Sequence, residues 1–248
     1  MTDPVPHRFY GDLAPWWPLI SPAADYAEEA AYLGGLLASA ALPVRDVLEL
    51  GSGGGHNAVH LTSRFTMTLV DLSSAMLDMS RALNPSSEHH VGDMRSVRLG
   101  RQFDAVLVHD AIDYMTTEAD LELAIGTAHA HCRPGGVAVF VPDATTEVYE
   151  PGTDVSGHDA PDGRAVRVLE WGHDPDPSDT WAVTEYSFLL RTADGTVSAV
   201  HETHRHGLFP RATWLRLLAE AGFDASLVVE ETTEDRTPRD VLVGHRPL

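Results

Sequence analysis

At 248 residues, 43% of them hydrophobic and 22% charged, the chain is long enough to bury a real core and does not have the composition of a disordered protein. Its 17 Lys+Arg stand against 37 Asp+Glu for a formal charge of -20, which opposes partnership with nucleic acid or with an anionic membrane surface. Cys132 is the only cysteine, so no intramolecular disulfide forms. The apolar stretches are too short and interrupted to span a bilayer, and the N-terminus lacks a basic segment followed by an apolar one, so a cytoplasmic protein is expected.

The elements follow in chain order. Residues 22–42 are alanine-rich, with apolar spacing at Tyr26, Ala30, Leu33, Leu36 and Leu37, and predict a helix. "RDVLEL" (45–50) reads as a buried strand, the glycine-rich "GSGGG" as a loop, and His56 to Phe65 as a helix. "TMTLVD" (66–71) is a second strand, and Ser73 is a candidate N-cap for a helix "SAMLDMSRAL". Strands over 88–93 and 103–110, a helix over 117–132 stopped by "RPGG", and a strand over 136–143 complete the alternation. Strands and helices alternating at this spacing imply a parallel sheet with helices on both faces.

Beyond residue 143 the pattern changes. Residues 144–164 are rich in Gly, Pro, Asp and Thr and read as loop. Strands over 165–173, 180–192 and 196–206 follow, with "ADG" (193–195) as a hairpin turn. A helix over 210–223 and strands over 225–231 and 239–246 close the chain. The hairpin strands therefore look like an insertion that covers the active face of an α/β domain.

In such a sheet the first strand-to-helix loop is where cofactors sit. Four glycines fall within residues 51–55, but a dinucleotide register counted from Gly51 would need glycine at His56, and no lysine follows for a phosphate loop. Glu49 at the loop mouth would repel a pyrophosphate and attract a sulfonium or ammonium; unit charges ~4 Å apart interact by roughly 4 kcal/mol near a protein surface. Asp71 ends the next strand, 20 residues after Gly51, where a carboxylate accepts both hydroxyls of a ribose. A nucleoside without a pyrophosphate fits both demands, and S-adenosylmethionine is such a ligand.

"ELGSGGG" (49–55), "LVDLSSAML" (69–77), "VGDM" (91–94), "FDAVLV" (103–108) and "RPGGVAVF" (133–140) resemble, in order, class I S-adenosylmethionine-dependent methyltransferases over roughly 45–142. The tail "HETHRHGLFPRATWLRLLAEAGF" more loosely resembles small-molecule members, amino-sugar N-methyltransferases among them. The resemblance implies that Glu49, Gly51, Ser52 and Gly53 line the methionine part of the cofactor and that Asp71 takes the ribose hydroxyls. It further implies Leu72 and Met76 against the adenine, Asp93 accepting from the adenine amino group beside Met94, and His109 near the methionine end. "HRFYGDLAPWW" resembles a segment that closes over the cofactor, with Tyr10 over the sulfonium.

On the acceptor side, "HDAIDYM" (109–115) offers Asp113 and Tyr114 to hold or deprotonate a hydroxyl or amine, or else to cap a turn and pack under a helix. Trp16 and Trp17 are either an aromatic wall or core. In "HETHRH" (201–206) strand periodicity sets Glu202, His204 and His206 on one face, spanning about 13 Å, which is wide for one metal ion. No metal is expected. That face is either an exposed polar surface or looks onto the acceptor, with His204 as a base. The candidate bases are thus His109, Asp113, Tyr114 and His204.

The reading is an α/β, Rossmann-like protein: a seven-stranded, mostly parallel sheet with helices on both faces and an antiparallel β cap after the fifth strand. Residues 1–43 form an N-terminal lid and helix, 44–143 and 207–248 the cofactor domain, and 144–206 the cap. The expected activity is methyl transfer from S-adenosylmethionine to N or O of a small molecule. The alternatives are a non-catalytic S-adenosylmethionine-binding regulator or partner subunit, a dehydrogenase, disfavoured by His56, and a methyltransferase for RNA or protein, disfavoured by the charge.

Overall fold

The computed structural model describes residues 7–230 and 238–248. The first six residues of the expected lid and residue 231 of the expected strand 225–231 lie outside them. A run of 3-10 turns, Arg8–Tyr10, Ala14–Trp16 and Ala23–Tyr26, surrounds the short helix α1 (Trp17–Ile20) and leads into α2 (Ala27–Leu37). The helix expected over 22–42 stops early because Ala38, Ser39, Ala41 and Leu42 are exposed and have no sheet to cover.

Then come β1 (Asp46–Leu50), α3 (His56–Leu61), β2 (Thr66–Asp71), α4 (Ser74–Leu83), β3 (Glu88–Val91), β4 (Phe103–His109), α5 (Glu118–His131) and β5 (Cys132–Val141). Ser73 caps α4 by accepting the Met76 N–H at 3.2 Å. "RPGG" is not a free stop: β5 already begins at Cys132, and these four residues bulge between the pairs Phe103↔Cys132 and Ala105↔Val137, with Gly135 at φ 76°.

Alternate strand residues bury on opposite faces, which is why the strands read as continuous apolar runs. Val47, Ala105, Leu107, Val137, Val139 and Val141 pack with α2 and α3. Leu48, Leu50, Val106, Val108, Ala138 and Phe140 pack with α5 and with α6 (Arg211–Glu220).

With β10 (Asp224–Glu230) and β11 (Arg239–His245) the main sheet has seven strands in the order β10-β11-β5-β4-β1-β2-β3. β11 points opposite to the other six strands, so both its pairings, with β10 and with β5, are antiparallel and the rest are parallel. The order reverses between β1 and β4, so the ends of β1, β2 and β4 open a crevice at a topological switch point.

The second sheet, after β5, is antiparallel with the order β6-β7-β8-β9: β6 (Gly152–Ser156), β7 (Ala165–His173), β8 (Trp181–Arg191) and β9 (Val197–Gly207). β6 lies within the stretch expected to be loop; it is an edge strand, largely exposed, so no apolar alternation marks it. The face of this sheet carrying Val166, Val168, Phe188 and Leu190 shares a core with Phe9 and Leu13 of the N-terminal segment. No helix among the described residues is long and apolar enough to cross a membrane.

Candidate functional site

The glycine loop turns tightly over the sheet edge. The backbone N–H groups of Gly51 and Ser52 both donate to the Val70 carbonyl, at 2.8 and 3.0 Å. Gly51 has φ 75°, and a Cβ there would lie 2.3 Å from that of Ala111 and 2.8 Å from Met94 Cε, so only glycine fits. Asp71 holds the other side of the crevice: Oδ2 accepts the Gly53 N–H at 2.7 Å and Oδ1 the Ser73 N–H at 2.7 Å. Met76 and Met94 are buried behind the loop, whereas Leu72 is 59% exposed at its corner.

Three polar atoms at this loop are buried with no partner: Glu49 Oε2, Ser52 Oγ and Asn57 Oδ1. Leaving such groups unpaired costs about 1–3 kcal/mol each, so they mark where a ligand's donors would enter. Burial pushes the Glu49 carboxyl up to about 8, with His109 opposing and Asp71 and Asp110 adding to the rise. A cation placed there restores the carboxylate.

Asp93 is otherwise engaged. Both of its oxygens accept from the Arg95 side chain, at 2.6 to 3.1 Å, and Arg95 also pairs with Asp120. An adenine amino group would have to share an acceptor already held.

His109 lies at the end of β4 inside a buried ionic cluster. Its Nε2 is 3.0 Å from Glu29 Oε1 and 2.9 Å from Arg239 Nη2, and its Nδ1 is 3.2 Å from Asp110 Oδ2. Burial favours the neutral ring, but Asp110 and Glu29 outweigh it and raise the pKa. Arg239 also bonds Glu29 at 2.5 Å, with Asp110 and Asp143 within 3.4 Å. Asp110 sits at φ 42°, a backbone strain of about 1–3 kcal/mol for a non-glycine residue, and tightens the turn that aims the next four residues. His109 is therefore a braced partner of Glu29 and Arg239, an unfavourable setting for a free base. Glu29 was legible: it falls on the apolar face of α2 between Tyr26 and Leu33. Arg239, beside Asp240 at the head of a strand that is apolar only in its middle, carried a weaker signal.

On the acceptor side two candidates meet and one stands apart. Tyr114, in the 3-10 turn Ala111–Tyr114, has its hydroxyl 2.8 Å from His204 Nδ1 and 2.8 Å from the Tyr10 hydroxyl. Asp113 accepts the Asp143 N–H at 2.9 Å, leaving Oδ1 buried without a partner; burial and then Asp143 raise its pKa well above the carboxylate range. The face carrying Glu202, His204 and His206 is not an exposed polar surface. His204 is fully buried and Glu202 9% exposed, because the N-terminal segment packs over them.

Glu202 takes the Arg8 and Phe9 backbone N–H groups at 2.6 and 3.0 Å and faces His204 Nε2 at 3.2 Å. The ligating atoms of His7, Glu202 and His204 all lie within 4.8 Å of one another. The His7 and His204 rings, however, lie 3.9 Å apart at 34°, face against face, and both His204 nitrogens are engaged, so this cluster is a stack with hydrogen bonds. Trp17 belongs with the aromatic packing, at 4.9 Å from Phe9, and donates to His56 Nδ1 at 3.1 Å. Glu170, unforeseen in the sequence, is pushed up to about 7 by burial and then by Asp154 and Asp143.

Residues 47–136 match a family model described as a methyltransferase domain. The chain is 29% identical over 224 residues to dTDP-3-amino-3,6-dideoxy-alpha-D-glucopyranose N,N-dimethyltransferase of Streptomyces fradiae, covering 89% of this chain and 87% of the relative. The crystal structure of DesVI from Streptomyces venezuelae superposes with a TM-score of 0.80 at 26% identity, over 98% of this chain and 99% of that one. CalS10, an amino pentose methyltransferase from Micromonospora echinaspora solved with S-adenosylmethionine bound, gives 0.74 at 26% identity over 89% and 91%.

Proposed function

We propose that this chain, a class I S-adenosylmethionine-dependent methyltransferase of small molecules, methylates the amino group of an amino sugar carried on a nucleotide. Two relatives that each span 89% of the chain are named for such chemistry, one for a dTDP-linked amino sugar and the other for an amino pentose. The observation that carries the choice of nitrogen over oxygen is the acidity of the acceptor side. Asp113 at the turn after β4 and Glu170 on the inserted sheet both feel Asp143, and their pKa values are raised, whereas Asp110 and Asp143 already share the Arg239 cation. Burial is the first cause in each case. Such a wall suits an arriving ammonium, whereas an alcohol brings no charge to satisfy it.

S-adenosylmethionine supplies an electrophilic methyl group and a neutral leaving group. The residues present fit it: a glycine cradle, the paired oxygens of Asp71 and the unpartnered oxygen of Glu49. The protein's own part is to align the amine and exclude water. Tyr10 and Tyr114 offer hydroxyls to orient the amine beneath the inserted sheet, which we read as the acceptor's cover. The ammonium must lose a proton before its lone pair can attack, and Glu170, near 7, is matched to receive one at neutral pH.

The test is incubation with S-adenosylmethionine and dTDP-3-amino-3,6-dideoxy-α-D-glucopyranose, followed by mass spectrometry. One or two added methyl groups on nitrogen are expected, and none on the 3-hydroxy analogue. Methylation of the hydroxy analogue alone would overturn the reading.

A further inference from the structure

We propose that Trp17 and Glu202 are positioning residues for the cofactor: they fasten residues 8–17 as a strap across the crevice, and S-adenosylmethionine leaves only when the strap lifts.

The strap supports itself. Tyr10, Gly11, Leu13, Ala14 and Trp16 donate their backbone N–H groups to carbonyls within residues 7–13. A few side-chain bonds, with the burial of Phe9 and Leu13, are what hold it to the rest of the molecule. A segment fastened in this way opens locally at far lower cost than the sheet beneath it.

Two of the bonds land on opposite lips of the cofactor crevice. After β2, the Ser73 hydroxyl donates to the Tyr10 carbonyl at 2.5 Å, while the Ser73 N–H donates to Asp71. After β1, the Trp17 indole N–H donates to His56 Nδ1 at 3.1 Å. An indole only donates, so Nδ1 must accept. Burial, and then His60, push the His56 pKa down to about 4, which keeps the ring neutral at pH 7 and that lone pair in place. β1 and β2 are neighbours in the sheet, so the chain from Tyr10 to Trp17 bridges the gap between their ends.

Gly54 is the seat of the indole. A Cβ there would lie 3.1 Å from Trp17 Cδ1 and 3.3 Å from its Nε1. Gly51, Gly53 and Gly55 adopt positive φ and Gly54 does not, so the fourth glycine serves to make room for this ring.

The other fastening comes from the inserted sheet and its loops. Glu202 on β9 accepts the Arg8 and Phe9 backbone N–H groups at 2.6 and 3.0 Å, and Arg164 donates to the Pro15 carbonyl at 3.3 Å. Backbone N–H groups gathered by a carboxylate make the stronger class of hydrogen bond. Glu202 thus stands on a different sheet from the loops around the cofactor, yet holds one end of the segment that crosses them.

Two measurements test the proposal. Surface plasmon resonance on the immobilised full chain reads S-adenosylmethionine entry and release separately. Trp17→Ala is expected to raise the release rate about tenfold without lowering the entry rate, and Trp17→Phe, which keeps the ring but loses the N–H, to raise it less. Glu202→Gln should raise release roughly threefold to tenfold from its place on the other sheet. In a Trp17→Ala background it should add little, because the strap is already loose at its far end. A merely structural defect would instead lower the entry rate or the active fraction and leave release unchanged. That result, or full multiplication of the two effects, would overturn the proposal.

The second measurement uses the wild type and so stands even where a variant misfolds. Hydrogen exchange over residues 8–20, read by mass spectrometry, is expected to slow at least about tenfold when S-adenosylmethionine binds. Unchanged exchange there, with protection gained in the glycine loop, would likewise overturn the proposal.

Discussion

Replacing Glu49 with glutamine separates the electrostatics of the glycine loop from its shape. The Glu49 carboxyl is 2% exposed, has an oxygen without a partner and is pushed up to about 8 by burial. At pH 7 it is therefore mostly protonated in the free protein, and a sulfonium ligand that needs the carboxylate must expel that proton. The penalty is about one pH unit of work, ~1.4 kcal/mol or roughly tenfold in affinity. It vanishes as pH rises past the free-state pKa.

Affinity for S-adenosylmethionine should thus climb about tenfold between pH 7 and 9, with close to one proton released per ligand bound at pH 7. Titration calorimetry in buffers of different ionisation enthalpy reads both quantities. Glu49→Gln should bind more weakly at pH 9, release no proton and lose the slope.

The sign for stability is opposite. The folded pKa stands above the ordinary carboxylate value, so the protonated group's contribution is complete at low pH and is lost as pH rises through about 8. Glu49→Gln should accordingly raise Tm of the unliganded protein at pH 9. A flat pH profile in the wild type, or the same slope in Glu49→Gln, would refute the assignment of a cation to this carboxylate.

Asp71→Asn keeps one acceptor for the loop but breaks the symmetric pair of oxygens that also hold Gly53 and Ser73; S-adenosylmethionine affinity should fall at least about tenfold, as read by calorimetry. Arg239→Met leaves Glu29 and its acidic neighbours without their shared cation, and should destabilise the fold at pH 7 by about 3–5 kcal/mol, measured by urea unfolding. An undiminished midpoint would show that the cluster tolerates its own charge. Cys132 is fully buried and its thiol is pushed up to about 12 by burial, so a disulfide reagent should leave it unmodified at pH 8 until the protein is denatured.

How much of this was legible depended on where each residue gets its partners. β1, β2 and β4 are covered on both faces and announce themselves as apolar runs, and the cap of α4 is a local bond two residues after Asp71. β6 was not legible, because an exposed edge strand needs only a neighbour to pair with, and its paired residues are 12 to 20 positions further along the chain, from Ser156↔Val168 to Gly152↔Gly172. Tyr114 and His204 were each visible as polar residues in suggestive places. Their junction was not, since 90 residues separate them and His7, which completes the stack, belongs to neither stretch. Asp93 shows the opposite case: the motif was plain, but the arginine two residues on that claims its oxygens was overlooked.

The shared core between the first turns of the chain and the second sheet also bears on the order of events at the ribosome. Phe9 and Leu13 pack against Val166, Val168, Phe188 and Leu190, partners made more than 150 residues later. When β5 has emerged, the five parallel strands of the central sheet can already pair, but these two side chains have nothing to bury against. They must wait, exposed, until β8 has paired with β7. Early in synthesis the N-terminal segment is thus a natural foothold for chaperones, and a fusion partner placed ahead of residue 7 would slow the last step of folding before it touched anything else.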